Sequence, residues 1–362
     1  MKNWIRPEIA ALSAYHIPAP GEWIKLDAME NPYRWPAELE REWLESLQNV
    51  EINRYPDPAA IELTNRLRST MNIPADAGVV LGNGSDELIQ MILMAIAESG
   101  RTVMAPEPSF VMYKMIATYV GMKFSAVPLK ESDFELDLDK ILTTIVEQQP
   151  AIIFLAYPNN PTGNLWKRAD IEQILEVAEG FVVVDEAYHV FANDSFMGDI
   201  YKYENLLVMR TLSKMGLAGL RLGLLAGGRK WITEIDKVRL PYNINTLTQH
   251  TASFILNHAA VLEKQAAELR SNREDLLAQL QQLADSSPLI QQVYPSQANF
   301  ILFRVDSGWA DKIFEGLKLR GVLIKNLNPA SGALSESLRV TVSTKEENAQ
   351  FLIALKRCLE DE

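Results

Sequence analysis

Asn205-Leu-Leu-Val-Met-Arg-Thr-Leu-Ser-Lys-Met-Gly-Leu-Ala-Gly-Leu-Arg221 begins as an apolar, strand-like run and breaks into a turn of small residues. Lys214 stands at the break, and Arg221 follows seven positions later. Open α/β sheets deliver side chains to a crevice at the carboxyl ends of their strands in this way. A lysine there offers an amine for a Schiff base. Ser213 and Arg221 offer an anion site beside it. Alone, a Ser-Lys pair at a strand end is usually a solvated turn, so the reading rests on what flanks it.

Upstream lies Phe181-Val-Val-Val-Asp-Glu-Ala-Tyr188. Its consecutive valines read as a strand buried on both faces, ending in Asp185. Before it runs Ala151-Ile-Ile-Phe-Leu-Ala-Tyr-Pro-Asn-Asn-Pro-Thr-Gly163, another buried strand closed by a turn that fixes Asn160. Further upstream, Gly78-Val-Val-Leu-Gly-Asn-Gly-Ser-Asp-Glu-Leu is a short strand that enters a helix near Ser85 through a glycine turn. Backbone N–H groups at such a helix start bind anions. The charges of Asp86 and Glu87 oppose an anion there, so their side chains are expected to point away. In this order the segments supply an amine, an anion cradle and a carboxylate. Pyridoxal phosphate (PLP) asks for that set: an amine for its aldehyde, a cradle for its phosphate and a carboxylate for its ring nitrogen.

The 362 residues suffice for one large and one small domain, and 48% hydrophobic with 23% charged content is that of a globular protein. The net charge of -12 speaks against a nucleic-acid surface. A single cysteine, Cys358, excludes an intrachain disulfide and fits a reducing compartment, so a cytoplasmic location is expected. No signal peptide or spanning run is visible, and the four histidines have no metal-ligand spacing. His189 follows Tyr188 and is expected to face away from the pocket. Residues from about 50 to 245 alternate apolar runs with helical ones, which predicts a mostly parallel sheet. A long helical stretch from Thr246 to about Leu283 is expected to bridge to a smaller α+β unit. The predicted boundaries are an N-terminal arm over 1–48, a large domain over 49–265 and a small domain over 266–362.

Taken in order, these motifs resemble the fold-type I PLP-dependent aminotransferases over nearly the whole chain. The histidinol-phosphate aminotransferase subgroup is the most similar. Ile5-Arg-Pro-Glu, Leu26-Asp-Ala-Met-Glu-Asn-Pro-Tyr33, Asn53-Arg-Tyr-Pro-Asp57, Leu81-Gly-Asn-Gly-Ser-Asp-Glu87, Gly321-Val-Leu-Ile-Lys325 and Ser337-Leu-Arg-Val-Thr341 carry that similarity. The resemblance implies an α/β fold with a large PLP-binding domain and a smaller α+β domain. It implies that Lys214 holds PLP and that Asp185 pairs with the ring nitrogen. Tyr188 and Asn160 would contact the ring oxygen. Ser213, Arg221, Thr211 and the turn Gly84-Ser85-Asp86 would hold the phosphate. Phe110 would stack on the ring, where relatives often carry tyrosine. Tyr55 would complete the site of a partner subunit in a homodimer.

For substrate, the resemblance implies Arg339, with Tyr15 and Asn31 closing over the pocket from the arm. Lys325 stands where relatives commonly carry arginine. It keeps the charge and loses the bidentate fork. The implied reaction is ping-pong transamination between histidinol phosphate and 2-oxoglutarate, with glutamate as the other amino donor, in histidine biosynthesis. Aromatic amino acid transamination and PLP-dependent decarboxylation of a phosphorylated amino acid are alternatives within the same chemistry. A PLP-binding regulatory module is the alternative outside it, and the acidic chain speaks against a DNA-binding segment.

Overall fold

The computed structural model describes residues 4–13 and 21–360. Twelve strands form two sheets. The larger holds β2 (Gly78–Gly82), β3 (Thr102–Glu107), β4 (Lys123–Pro128), β5 (Ile152–Ala156), β6 (Phe181–Asp185), β7 (Leu206–Thr211) and β8 (Gly223–Gly227). Their order is β2-β8-β7-β6-β5-β3-β4. Pairings among β3 to β7 are parallel, and β8 runs antiparallel to both of its neighbours.

The apolar runs are continuous because both faces are covered. Alternate residues of each strand join different cores. Ile153, Leu155, Val182, Val184, Leu206 and Val208 pack into one, while Ile152, Phe154, Val183, Leu207 and Met209 pack into the other. Burying each such aliphatic side chain contributes on the order of 2 kcal/mol. The arrangement leaves Ala156, Asp185 and Thr211 at the carboxyl ends of three adjacent strands, where the sheet opens to a crevice.

The second sheet has the order β1-β11-β12-β10-β9, from β1 (Ile24–Leu26), β9 (Ile290–Val293), β10 (Phe300–Val305), β11 (Val322–Asn326) and β12 (Ser337–Thr341). The arm strand β1 pairs in parallel with β11, and the remaining pairings are antiparallel. Leu276, Leu280, Ile313, Leu317, Phe351 and Leu355 pack helices 259–286, 310–319 and 345–360 onto this sheet. Cys358 is buried there, with its thiol 2.8 Å from where a Cβ on Gly316 would lie.

The stretch from Thr246 onward is two helices, Thr246–Leu256 and Ala259–Ser286, rather than one. The break falls at Asn257-His258. The Asn257 side-chain amide oxygen accepts from Arg66, and His258 leaves helical geometry at φ -113 and ψ 30. Neither residue is a strong helix former. The second helix runs unbroken through position 265, so the expected boundary at 265/266 falls inside it. Among the described residues no helix is long and apolar enough to cross a membrane.

Candidate active site

A cavity of about 250 Å³ opens where β5, β6 and β7 end. Lys214, Asp185, Tyr188, Asn160, Ser213, Thr211, Arg221, Ser85, Asp86 and Phe110 all line it. Ala28, Met29 and Glu30 close it from the arm.

Lys214 leaves the end of β7 through the short helical turn Ser213–Met215, which Gly216 terminates at φ 100. Its Nζ donates to the Ala28 carbonyl at 3.2 Å and lies 5.8 Å from the centre of the Tyr188 ring. Burial, with Arg339 nearby, pushes its pKa down from 10.5 to about 8. An amine so tuned is partly neutral near physiological pH, and only the neutral form is a nucleophile or a base.

Asp185 is 4% exposed at the end of β6. Oδ1 accepts the Ala187 N–H at 3.1 Å, and Oδ2 accepts the Tyr113 hydroxyl at 2.6 Å. Burial raises its pKa to about 6, against the lowering effect of those two donors. Tyr113 is a part of the site that motif reading passed over. Its spacing of three residues from Phe110, at the start of a helix, was the available signal.

At the opposite end, the helix Ser85–Ile96 starts at Gly84, whose φ is 85. A Cβ on Gly84 would lie 2.7 Å from an Arg221 guanidinium nitrogen. Glycine is therefore needed twice, for its backbone angle and for the approach of Arg221. Thr211 Oγ1 lies 2.9 Å from Ser213 Oγ, which ties the two hydroxyls together. Glu87 turns away as expected, accepting from the Asn83 N–H and from Asn243. Asp86 does not turn away. It lines the cavity, with Oδ2 3.7 Å from Arg221, because that guanidinium is the cation facing it. Its Oδ1 is buried without a hydrogen-bond partner.

Arg339 lies in the middle of β12 and is 6% exposed. It donates to Asn160 Oδ1 and, at 3.0 Å, to the Asp27 carbonyl. The small sheet is thereby fastened to the rim of the cavity. Lys325 is the direct antiparallel partner of Arg339 and so shares its sheet face, but it does not line the cavity. Asn31 lies outside as well. Its amide donates to Gln265 at 3.0 Å, and its carbonyl accepts the Tyr33 N–H at 2.9 Å. It therefore ties the arm to the helix at 259–286. Tyr55 is 80% exposed, stacked on Tyr242 with ring centres 4.4 Å apart, and takes no part in the cavity of its own chain. Tyr15 falls outside the described residues. His189 faces a separate polar cavity, as its place after Tyr188 implied.

The donor set fits PLP. A cation, two hydroxyls and a helix start face one end, a carboxylate faces the other, an aromatic ring lies alongside, and a lysine stands between. The cradle behind Gly84 has no room for a side chain, which suits a phosphate against backbone N–H groups.

The family described as “Aminotransferase class I and II” matches residues 21–355. A histidinol-phosphate aminotransferase 2 from Nitrosococcus oceani is 55% identical, over 98% of this chain and 97% of that protein. A histidinol-phosphate aminotransferase 1 from Ralstonia nicotianae is 50% identical, over 99% of this chain and 95% of that protein. Among solved structures, a histidinol-phosphate aminotransferase from Sinorhizobium meliloti in complex with pyridoxal-5'-phosphate superposes with a TM-score of 0.83. It is 20% identical and covers 99% of this chain and 98% of its own.

Proposed function

Because this chain belongs to the class I and II aminotransferases, we propose that it is a PLP-dependent enzyme of histidine biosynthesis, acting in the cytoplasm. It exchanges the amino group between histidinol phosphate and 2-oxoglutarate. The observation that carries the reading is the convergence of Lys214 and Asp185 on one cavity, in a chain 55% identical to a histidinol-phosphate aminotransferase.

When bound, PLP supplies an aldehyde for amine capture and a pyridinium ring that accepts the electron pair left when a proton leaves the substrate carbon. Lys214 would hold the cofactor covalently. Its Nζ, tethered within reach, would take the proton from the substrate carbon and give it up to the cofactor carbon that accepts the amino group. Asp185 would face the ring nitrogen and keep it protonated. A cation there in turn favours the ionised carboxylate, against the burial that raises its pKa. Tyr188 and Asn160 would face the ring oxygen, and Phe110 the ring. Ser213, Thr211, Arg221 and the N–H groups around Ser85 would hold the phosphate. Arg339 would bind the glutamate carboxylate with its planar fork.

Histidinol phosphate lacks that carboxylate and carries a phosphate ester instead. A dianion beside one arginine is half neutralised, so a second cation belongs near it. Lys325, on the same sheet face, is our candidate. The test is a set of half-reactions, in which the yellow cofactor form is mixed with single amino donors and its absorbance followed. Histidinol phosphate and glutamate should both discharge it. Lys325→Ala should raise the KM for histidinol phosphate about tenfold while changing glutamate less. Equal effects on both donors would remove Lys325 from phosphate recognition. Release of CO2 without need of a keto acceptor would instead mark a decarboxylase.

The enzyme is proposed to be a homodimer in which Tyr55 of each protomer reaches the site of the other. What supports this is its exposure, beside the exposed Tyr242 on which it stacks. Mixing Lys214→Ala with Tyr55→Ala subunits should restore activity. Half of the sites in a hybrid dimer would then carry both defects and half would carry none. No recovery, with subunit exchange demonstrated, counts against shared sites.

A further inference from the structure

The Tyr113 side chain is 1% exposed, and its position is fixed on three sides. Its ring stacks on Phe154 of β5, with centres 4.6 Å apart and planes at 11°. Phe110 meets it at 84°, with centres 5.5 Å apart. Its hydroxyl donates to Asp185 Oδ2 at 2.6 Å, the short range expected when the acceptor is charged. One residue thus touches both the aromatic that borders the cavity and the carboxylate at its end. Burial and the neighbouring Asp185 push the phenol well above its usual range, so it stays a donor at working pH.

Asp185 needs such a partner. Burial favours its neutral form, and the carboxylates of Asp86 and Glu186 add repulsion. Glu186 is itself paired with Arg210 at 2.8 Å. Tyr188 is a buried phenol near Asp185, and Lys214 lines the same cavity. Among the described residues, the Ala187 N–H and the Tyr113 hydroxyl are the hydrogen bonds that favour the charged carboxylate.

We propose that Tyr113 is a positioning residue of this site: its hydroxyl holds the Asp185 carboxylate charged and in one orientation, while its ring sets the plane of Phe110. The proposal rests on the reading that PLP occupies the cavity.

The test uses the full chain as apoprotein and with PLP. Tyr113→Phe keeps the ring and its stack and removes the hydroxyl. Carbon-13 labelling of aspartate carboxyls, with Asp185→Asn to assign the signal, gives the titration midpoint of Asp185 without cofactor. That midpoint should rise by about one pH unit or more in Tyr113→Phe, as expected for loss of a hydrogen bond to a charged group. The dissociation constant for PLP should rise about tenfold. If Tyr113→Phe does not fold, 3-fluorotyrosine at position 113 keeps the shape and makes a stronger donor, and the midpoint should then fall. An unmoved midpoint overturns the proposal, even if PLP binding weakens, because packing alone would then explain the weakening. Failure of the unmodified protein to bind PLP overturns the functional reading, and the proposal with it.

Discussion

Lys214→Ala should fold normally and lose amino-group transfer by on the order of 10⁴-fold or more, since it removes both the covalent anchor and the proton carrier. Among the described residues that line the cavity, Lys214 is the one amine, and the other cationic side chain, Arg221, does not give up a proton. No neighbour is placed to substitute. The measurement is single-turnover transfer with glutamate, alongside circular dichroism to establish the fold. Borohydride treatment of the unmodified holoenzyme should fix the cofactor to the peptide containing Lys214, and a label on any other lysine would refute the assignment. The tuning of the amine adds a pH signature. Because its pKa is pushed down to about 8, the neutral fraction rises through pH 8 rather than 10.5. Capture of PLP by the apoprotein should therefore accelerate between about pH 7 and 9 and then level off. Acceleration that continues towards 10.5 would mean that burial does not act on this lysine.

The large sheet could be read from the sequence because its strands are buried on both faces. Such strands appear as nearly unbroken apolar runs, and in two of the three that border the crevice a polar last residue, Asp185 or Thr211, marks that edge. Asp185 and Thr211 stand at those strand ends and line the cavity. The three-residue strand Ile24–Leu26 carries no such signal. Its hydrogen bonds exist only because Val322, Leu323 and Ile324 lie beside it. The helix break at Asn257-His258 was hidden similarly, since helical spacing continues across it and the departure is confined to the backbone of His258.

The site shows the same division. Residues that act from strand ends and turns were found by their order along the chain. Residues whose roles depend on pairing across the fold were not. Asn31 spends its amide on Gln265, and no local pattern announces that partner. Asp86 is held towards the cavity by Arg221, against an expectation built on its charge alone. Tyr113 and Asp185 are 72 positions apart and meet only because β5 and β6 are neighbours.

Asp185→Asn should lower the single-turnover rate by about 10² to 10⁴ while leaving a folded protein. The range follows from breaking a buried charge pair, worth about 3–5 kcal/mol, at about 1.4 kcal/mol per tenfold in rate. Asparagine keeps the shape: its one amide oxygen can accept the Ala187 N–H while its NH2 donates to the Tyr113 hydroxyl oxygen, so the packing around position 185 has little reason to change. What disappears is the negative charge that, in the proposed function, would keep the ring nitrogen protonated. Without it the ring loses much of its ability to take up electrons, and the barrier to removing the substrate proton rises. The effect should therefore fall on the rate of proton removal and appear as a larger isotope effect when the substrate carbon carries deuterium. It should fall less on the KM for glutamate, whose carboxylate belongs to Arg339. A cofactor analogue methylated on the ring nitrogen carries its positive charge permanently and makes Asp185 dispensable for that purpose. Part of the lost rate should return with this analogue in Asp185→Asn. If the rate stays low with the analogue bound, Asp185 acts chiefly by holding its neighbours in place, and the electrostatic account of this carboxylate is wrong.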